Sequence, residues 1–214
     1  MDALRQMWRY VGDNQAFFVE SLRIHLQLSG VALGIAILLC VPLGIWLARR
    51  LTLATPVINL VSALRVIPSL AILFLAIPYL GLNRTAAFVA LTLLALPPVL
   101  INSYAAFRGV PAAVKEAARG MGMNTWQLLW QIELPLALPV VMTGIRTAAV
   151  EVISSAALAT FIGAGGLGDF IARGFRLSST PIMLVGAIPI ALLALSSELL
   201  LGGLQRRLSA HLVR

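Results

Sequence analysis

Three charges stand inside long apolar runs: Arg65, Arg146 and Glu151. An ion at the centre of a bilayer costs about 2.5 to 3.5 kcal/mol on insertion scales, so each must face protein, water or a partner. Arg146 and Glu151 are separated by about 140° around a helix and cannot pair well along one face. Arg65 and Glu151 can pair across helices, either as a structural bridge or as part of a solute path. Ser154 and Ser155 add hydroxyls beyond Glu151, and the run Ile67-Pro68-Ser69-Leu70-Ala71 comes soon after Arg65. Pro68 frees a backbone carbonyl that Ser69 or a water can help satisfy, as in a helix lining a cavity. Tyr79, Tyr104 and Phe161 offer aromatic faces that attract a cation weakly, although packing between helices is the ordinary role of such rings. The chemistry on offer is recognition of charge.

A second group lies in a polar stretch, Arg108 to Leu134, running up to Pro135, between apolar runs. Pro111 can start a helix, and Ala112 to Arg119 are mostly good helix formers. Gly120 and Gly122 break it. Asn124 or Thr125 can cap a second helix carrying Trp126, Leu129, Trp130 and Leu134 on one side, with Pro135 expected to end it. Such a bent, amphipathic knob suits either a soluble partner's groove or the membrane interface, anchored by Trp126 and Trp130.

Bond-making chemistry finds no support. The spans contain no H-E-x-x-H, no G-x-S-x-G and no Walker motif. Gly163 to Gly168 matches G-x-G-x-x-G by letters, yet it comes after an apolar segment rather than a strand and opens no βαβ unit. It reads as a turn leading into a short amphipathic helix through Arg176. The single cysteine, Cys40, reads as a small core residue, and His25 and His211 stand too far apart in the chain to suggest a metal site.

The elements that must position these groups are membrane spans. The 214 residues are 60% hydrophobic and 11% charged, which describes an all-α polytopic membrane protein rather than a soluble core. The net charge of +8 is distributed singly or in pairs at segment ends, so it marks topology and not nucleic-acid binding. Residues 1–27 are expected to form an interfacial segment with Trp8, Tyr10, Phe17 and Phe18 near the headgroups and no cleaved signal peptide; residues 28–214 form the transmembrane domain. Five spans are expected at about 26–48, 56–80, 86–107, 136–161 and 181–201, with the polar loop at 108–135. Gly30 and Gly34 form a small-xxx-small pair, Pro97-Pro98 should kink the third span, and Pro189 should interrupt the fifth. Glu198 can reach headgroup water. Alternate loops carry eight basic residues against six, or +6 against +2 after subtracting acids, which favours a cytoplasmic C-terminus and an outer N-terminus.

The spacing Glu116-Ala117-Ala118, then Gly122, then Ile132 and Leu134-Pro135 resembles the EAA loop of binding-protein-dependent ABC importer permeases. Pro42-Leu43-Gly44-Ile45, the Ile67 to Ala71 run, and Glu151 through Phe170 are similar to the osmoprotectant branch, which imports glycine betaine, carnitine, choline or related quaternary ammonium compounds. Methionine-importer permeases share the five-span plan and a similar Gly-rich segment, and are the alternative; a non-ABC channel or scaffold is a more distant one.

The resemblance implies a methionine-importer-like permease fold and a loop seated in a cleft of a cytoplasmic ATPase subunit. Glu116 would be the charged contact, Ala117 and Ala118 the small residues permitting close approach, Gly122 the bend, and Leu134-Pro135 the exit into the membrane. It also implies two ATPase subunits carrying ATP and Mg, a second permease that is identical or paralogous, an external solute-binding protein, and a bacterial or archaeal inner membrane. No cofactor is expected on this chain, which should hydrolyse nothing alone. Arg65 and Arg146 match no position of the family pattern.

Overall fold

The computed structural model describes residues 2–210; His211 and Arg214 lie outside the described residues. Among the described residues every regular element is helical. The core forms around α5 (Arg84–Arg108), whose alanine-rich, proline-containing surface is buried on several sides. Asn83 starts this helix by accepting a hydrogen bond from the Ala86 N–H at 3.0 Å.

Against α5 pack α2 (Gln15–Ala48) and α8 (Leu134–Ser155). Close approach here depends on two glycines. A Cβ at Gly44 would lie 2.6 Å from Ser103 Cβ, and one at Gly144 would lie 2.5 Å from the Pro98 carbonyl oxygen. The Gly30/Gly34 pair has no neighbouring atom within 4 Å of where a Cβ would stand, so close packing within the chain uses other glycines.

The N-terminal segment divides differently from the expected interfacial helix. α1 (Asp2–Asp13) is separate, but α2 already begins at Gln15 and runs unbroken for 34 residues. That is about 50 Å of helix, longer than a hydrocarbon core of about 30 Å. Tyr10, Phe17 and Phe18 surround the Phe170 ring at centroid distances of 6.3, 5.0 and 6.1 Å, so their first partner is protein. Trp8 remains exposed.

The expected second span is two helices. α3 (Leu51–Ala63) passes into a 3₁₀ turn at Leu64–Val66, and α4 (Ser69–Leu80) leaves at 100° to the first piece. Proline accounts for the break: it disfavours α geometry at the preceding residue, and Ile67 is extended, at φ −79° and ψ 124°.

Elsewhere helices continue through their prolines, at Pro189 against the expected interruption. Helix α5 is continuous through Pro97-Pro98, and α10 (Thr180–Ala210) is continuous through Pro189 and on through Gly202-Gly203. Nor does Pro135 end a helix. The short α7 (Thr125–Leu128) enters a π turn at Leu129–Glu133, in which the Leu134 N–H donates to the Leu129 carbonyl, and α8 continues directly from it. The wider π turn and a place in the first turn of α8 accommodate the proline ring and its missing N–H.

At the far end, α8 tightens into a 3₁₀ segment, Ala156–Ile162, before the Gly-rich turn. Gly163, Gly165 and Gly166 there have φ of 75°, 80° and 106°, where a side chain would be strained. The amphipathic α9 (Gly168–Arg176) comes next, as its sequence predicts. Four helical segments are long and apolar enough to span a membrane, and the bent pair makes a fifth crossing if counted as one.

Candidate functional site

The polar loop folds as the bent pair of helices its sequence predicts. α6 (Ala112–Gly120) starts after Pro111, the chain turns at Gly122 with φ 86°, and Asn124 caps α7. The Asn124 side chain accepts from the Trp126 and Gln127 N–H groups at 3.0 and 2.9 Å, while Gln127 Oε1 accepts from the Asn124 N–H at 2.9 Å. Two orphan helix-end donors and the cap's own N–H are thereby satisfied. The outer face carries Glu116, Ala117, Gly122, Met121, Trp126 and Trp130, all exposed. The two tryptophan rings meet edge to face at 5.5 Å. Ala118 differs from the expectation that both alanines admit a partner: it is 1% exposed and packs into its own chain. Ile132, Leu134 and Pro135 are half-buried where the loop joins α8.

A charge cluster that sequence reasoning missed fixes this loop to the bundle. Glu133, in the π turn, is 6% exposed. Its Oε2 accepts from Arg49 Nη2 at 3.0 Å, and its Oε1 lies 3.5 Å from Lys115 Nζ. Lys115 also donates to the Phe107 carbonyl at 3.2 Å. One buried carboxylate therefore joins the end of α2, the loop helix α6, the end of α5 and the start of α8. The sequence signal was a lone acid, Glu133, set between Ile132 and Leu134; Arg49 and Lys115 read only as topology charges.

The charges inside the spans separate into two places. Arg65, Pro68, Ser69, Glu151 and Ser155 line one cavity of about 200 Å³ at the α3/α4 break, closed on another side by Pro97 of α5. Among the described residues no ion pair within 4 Å joins Arg65 to Glu151. Ser154 points to the other side of α8, where Glu151 also borders a space shared with Thr147 and Glu198. Tyr79 is exposed at the end of α4, and Tyr104 packs beside the main core.

Arg146 belongs to a different site. It pairs with Glu198 and donates from Nη1 to Gln205 Oε1 at 2.6 Å, while Gln205 Nε2 donates to the Pro139 carbonyl at 2.7 Å. Its guanidinium occupies space left by Gly202, where a Cβ would stand 3.2 Å from Cζ. Glu198 thus finds a cation in the fold rather than headgroup water. The network ties α8 to α10 and lies apart from the helix break.

Phe161 is also elsewhere. It is 55% exposed and borders a larger cavity, about 980 Å³, with Phe17, Phe175, Arg173 and Arg176. Beside it Thr160 donates to Asp169 across the Gly-rich turn. His25, fully buried, contacts the Ile153 carbonyl through Nε2 at 3.0 Å and sits beneath Gly166. The smaller cavity is lined by Arg65 and Glu151 from within the spans, and the larger by neither.

Four long apolar helices, with α5 central among them, and one bent pair, together with an anchored two-helix loop at one end, have the plan of an ABC-importer permease subunit. The fold overlays the inward-facing MetNI methionine ABC transporter with a TM-score of 0.81, covering 92% of this chain and 98% of that one at 21% identity. An amino acid ABC transporter solved with histidines gives 0.73, covering 92% and 97% at 19% identity. The chain belongs to the family of binding-protein-dependent transport system inner membrane components, whose profile matches residues 40–210. It is 45% identical to the carnitine transport permease protein OpuCB of Listeria monocytogenes, over all of this chain and 97% of that protein. It is 40% identical to the choline transport system permease protein OpuBB of Bacillus subtilis, covering 86% and 85%. The osmoprotectant import permease protein OsmW of Salmonella typhimurium is also 40% identical, covering 92% and 94%.

Proposed function

We propose that this chain is the membrane-spanning subunit of an ATP-driven importer of osmoprotectants such as glycine betaine, carnitine or choline. The observation that carries the mechanism is the loop: Glu116 and Ala117 are presented outward on a helix whose base is fastened to three spans through Glu133, Arg49 and Lys115. Small residues admit a close neighbour, and the carboxylate beside them can pair with an arginine across the interface. The solute class rests on relatives whose names specify carnitine, choline and osmoprotectants.

In this reading the loop faces the cytoplasm of a bacterial or archaeal cell, where two ATPase subunits supply ATP and Mg. A second permease completes the pore, and an external binding protein delivers solute at the Gly-rich end. ATP binding biases an inward/outward equilibrium, and the buried carboxylate passes the loop's displacement to the spans. This chain contributes no hydrolysis. Its candidate path and gate residues are Arg65, Pro68, Ser69, Glu151 and Ser155 at the helix break; Ser154 and Phe161 border other spaces of the same crossing, and Arg146 braces α8 against α10.

The test is reconstitution with the candidate ATPase and binding protein in liposomes. ATP hydrolysis stimulated by a quaternary amine, and abolished by Glu116→Arg, is expected. Stimulation by methionine alone would assign the amino-acid branch, and no coupled hydrolysis with any solute, with conduction by the chain alone, would assign a channel.

A further inference from the structure

The geometry points to the cavity at the α3/α4 break as a transient binding site for a small zwitterion, with Arg65 taking the carboxylate and Glu151 the quaternary ammonium. This inference rests on the importer reading above.

Three observations converge there. First, two opposite charges, an exposed Arg65 and a half-buried Glu151, border one space and form no ion pair with each other, so both remain open to a solute. Second, the space of about 200 Å³ suits a small solute, below the roughly 300–1,000 Å³ of drug-sized pockets. Third, the crossing is discontinuous at this level, bent by 100°. α4 starts at this level with Ser69, which lines the cavity beside Arg65. Half-helices that meet at a charged cavity are a recurrent way for transporters to hold a solute without a deep pocket.

The charges also distinguish among solutes. Glycine betaine and carnitine carry a carboxylate and a trimethylammonium; choline has the ammonium and a neutral hydroxyl. An arginine offers a carboxylate two parallel donors, whereas a hydroxyl takes little from it. Glu151 serves the ammonium of all three by charge alone. Arg65 is therefore a specificity residue, and Glu151 a general one.

The experiment uses the complete complex in liposomes, with uptake of labelled glycine betaine, carnitine and choline normalised to assembled complex. Arg65→Gln is expected to reduce uptake of the two zwitterions about tenfold more than that of choline, the scale of losing a charge-assisted hydrogen bond. Glu151→Gln is expected to reduce all three. A second readout tracks occupancy directly: glycine betaine should slow thiol modification of Ser69→Cys several-fold. Equal losses for zwitterions and choline in Arg65→Gln, no loss for any solute, or no protection of Ser69→Cys would each overturn the site while leaving the importer reading intact. A wild-type complex that takes up none of the three removes both.

Discussion

Arg49 donates from Nη2 to Oε2 of Glu133 at 3.0 Å, linking residues 84 positions apart. The bond closes the gap between the end of the first crossing and the turn that starts the fourth, and Lys115 reaches the same carboxylate from the loop helix.

Glu133→Gln keeps the shape but removes the charge, leaving two cations without their shared anion. Because Arg49 is 43% exposed, water relieves part of the loss, and the expected destabilisation is about 1–2 kcal/mol rather than the larger penalty of a fully buried pair. Transport per ATP hydrolysed should fall more than hydrolysis itself. Thermal melting together with the coupling ratio in liposomes checks this; an unchanged ratio would reduce Glu133 to a structural anchor.

Ala117 and Ala118 are neighbours with opposite expected phenotypes. Ala118→Leu overfills a buried site and should cost about 1–3 kcal/mol in the isolated chain. Ala117→Leu, on the open face, should leave the melting curve nearly unchanged while weakening co-purification with the ATPase. Loss of stability in both would place Ala117 in the fold instead of the interface.

Gly144→Val sets a side chain against the Pro98 carbonyl and Asn102, where backbone must move. It should reduce stability by about 1–3 kcal/mol or prevent assembly. Gly34→Ala meets nothing within 4 Å in this chain and, inside α2, should melt at or slightly above the parent. The comparison is read in detergent by a thermal shift assay.

Arg146 and Glu198 are expected to show energetic coupling without solute selectivity. Both are partly exposed, at 28% and 39%, so a double-mutant cycle with Arg146→Gln and Glu198→Gln should return about 0.5–1 kcal/mol. Ratios of carnitine to choline uptake should remain those of the parent, in contrast to Arg65→Gln.

The difference between Arg146 and Arg65 shows where sequence reading stops. Local signals carried far: Pro111, Gly122 and Asn124 each act within a few residues, and the bent two-helix loop results from them. The apolar runs likewise mark the crossings. Long-range partners leave no such trace. Nothing near Glu133 in the chain points to Arg49, and nothing near Arg146 points to Glu198 and Gln205. Proline was legible only in part. Pro68 breaks its helix, whereas Pro97, Pro98 and Pro189 lie within continuous helices, a difference decided by packing and geometry away from the proline itself. Of the Gly30/Gly34 pattern the same holds: small residues permit a contact, and within this chain no helix makes one.

The π turn at Leu129–Glu133 also has an angular meaning. One residue more than an α turn shifts the phase of α7 by about 100° relative to α8. The direction in which Trp126 points is therefore set independently of the direction in which Gly144 and Arg146 point. Deleting one residue from the turn would act as a rotation: an α-helical register would swing Trp126 and the knob around the axis of α8 and pull against the Glu133 anchor to Arg49 and Lys115.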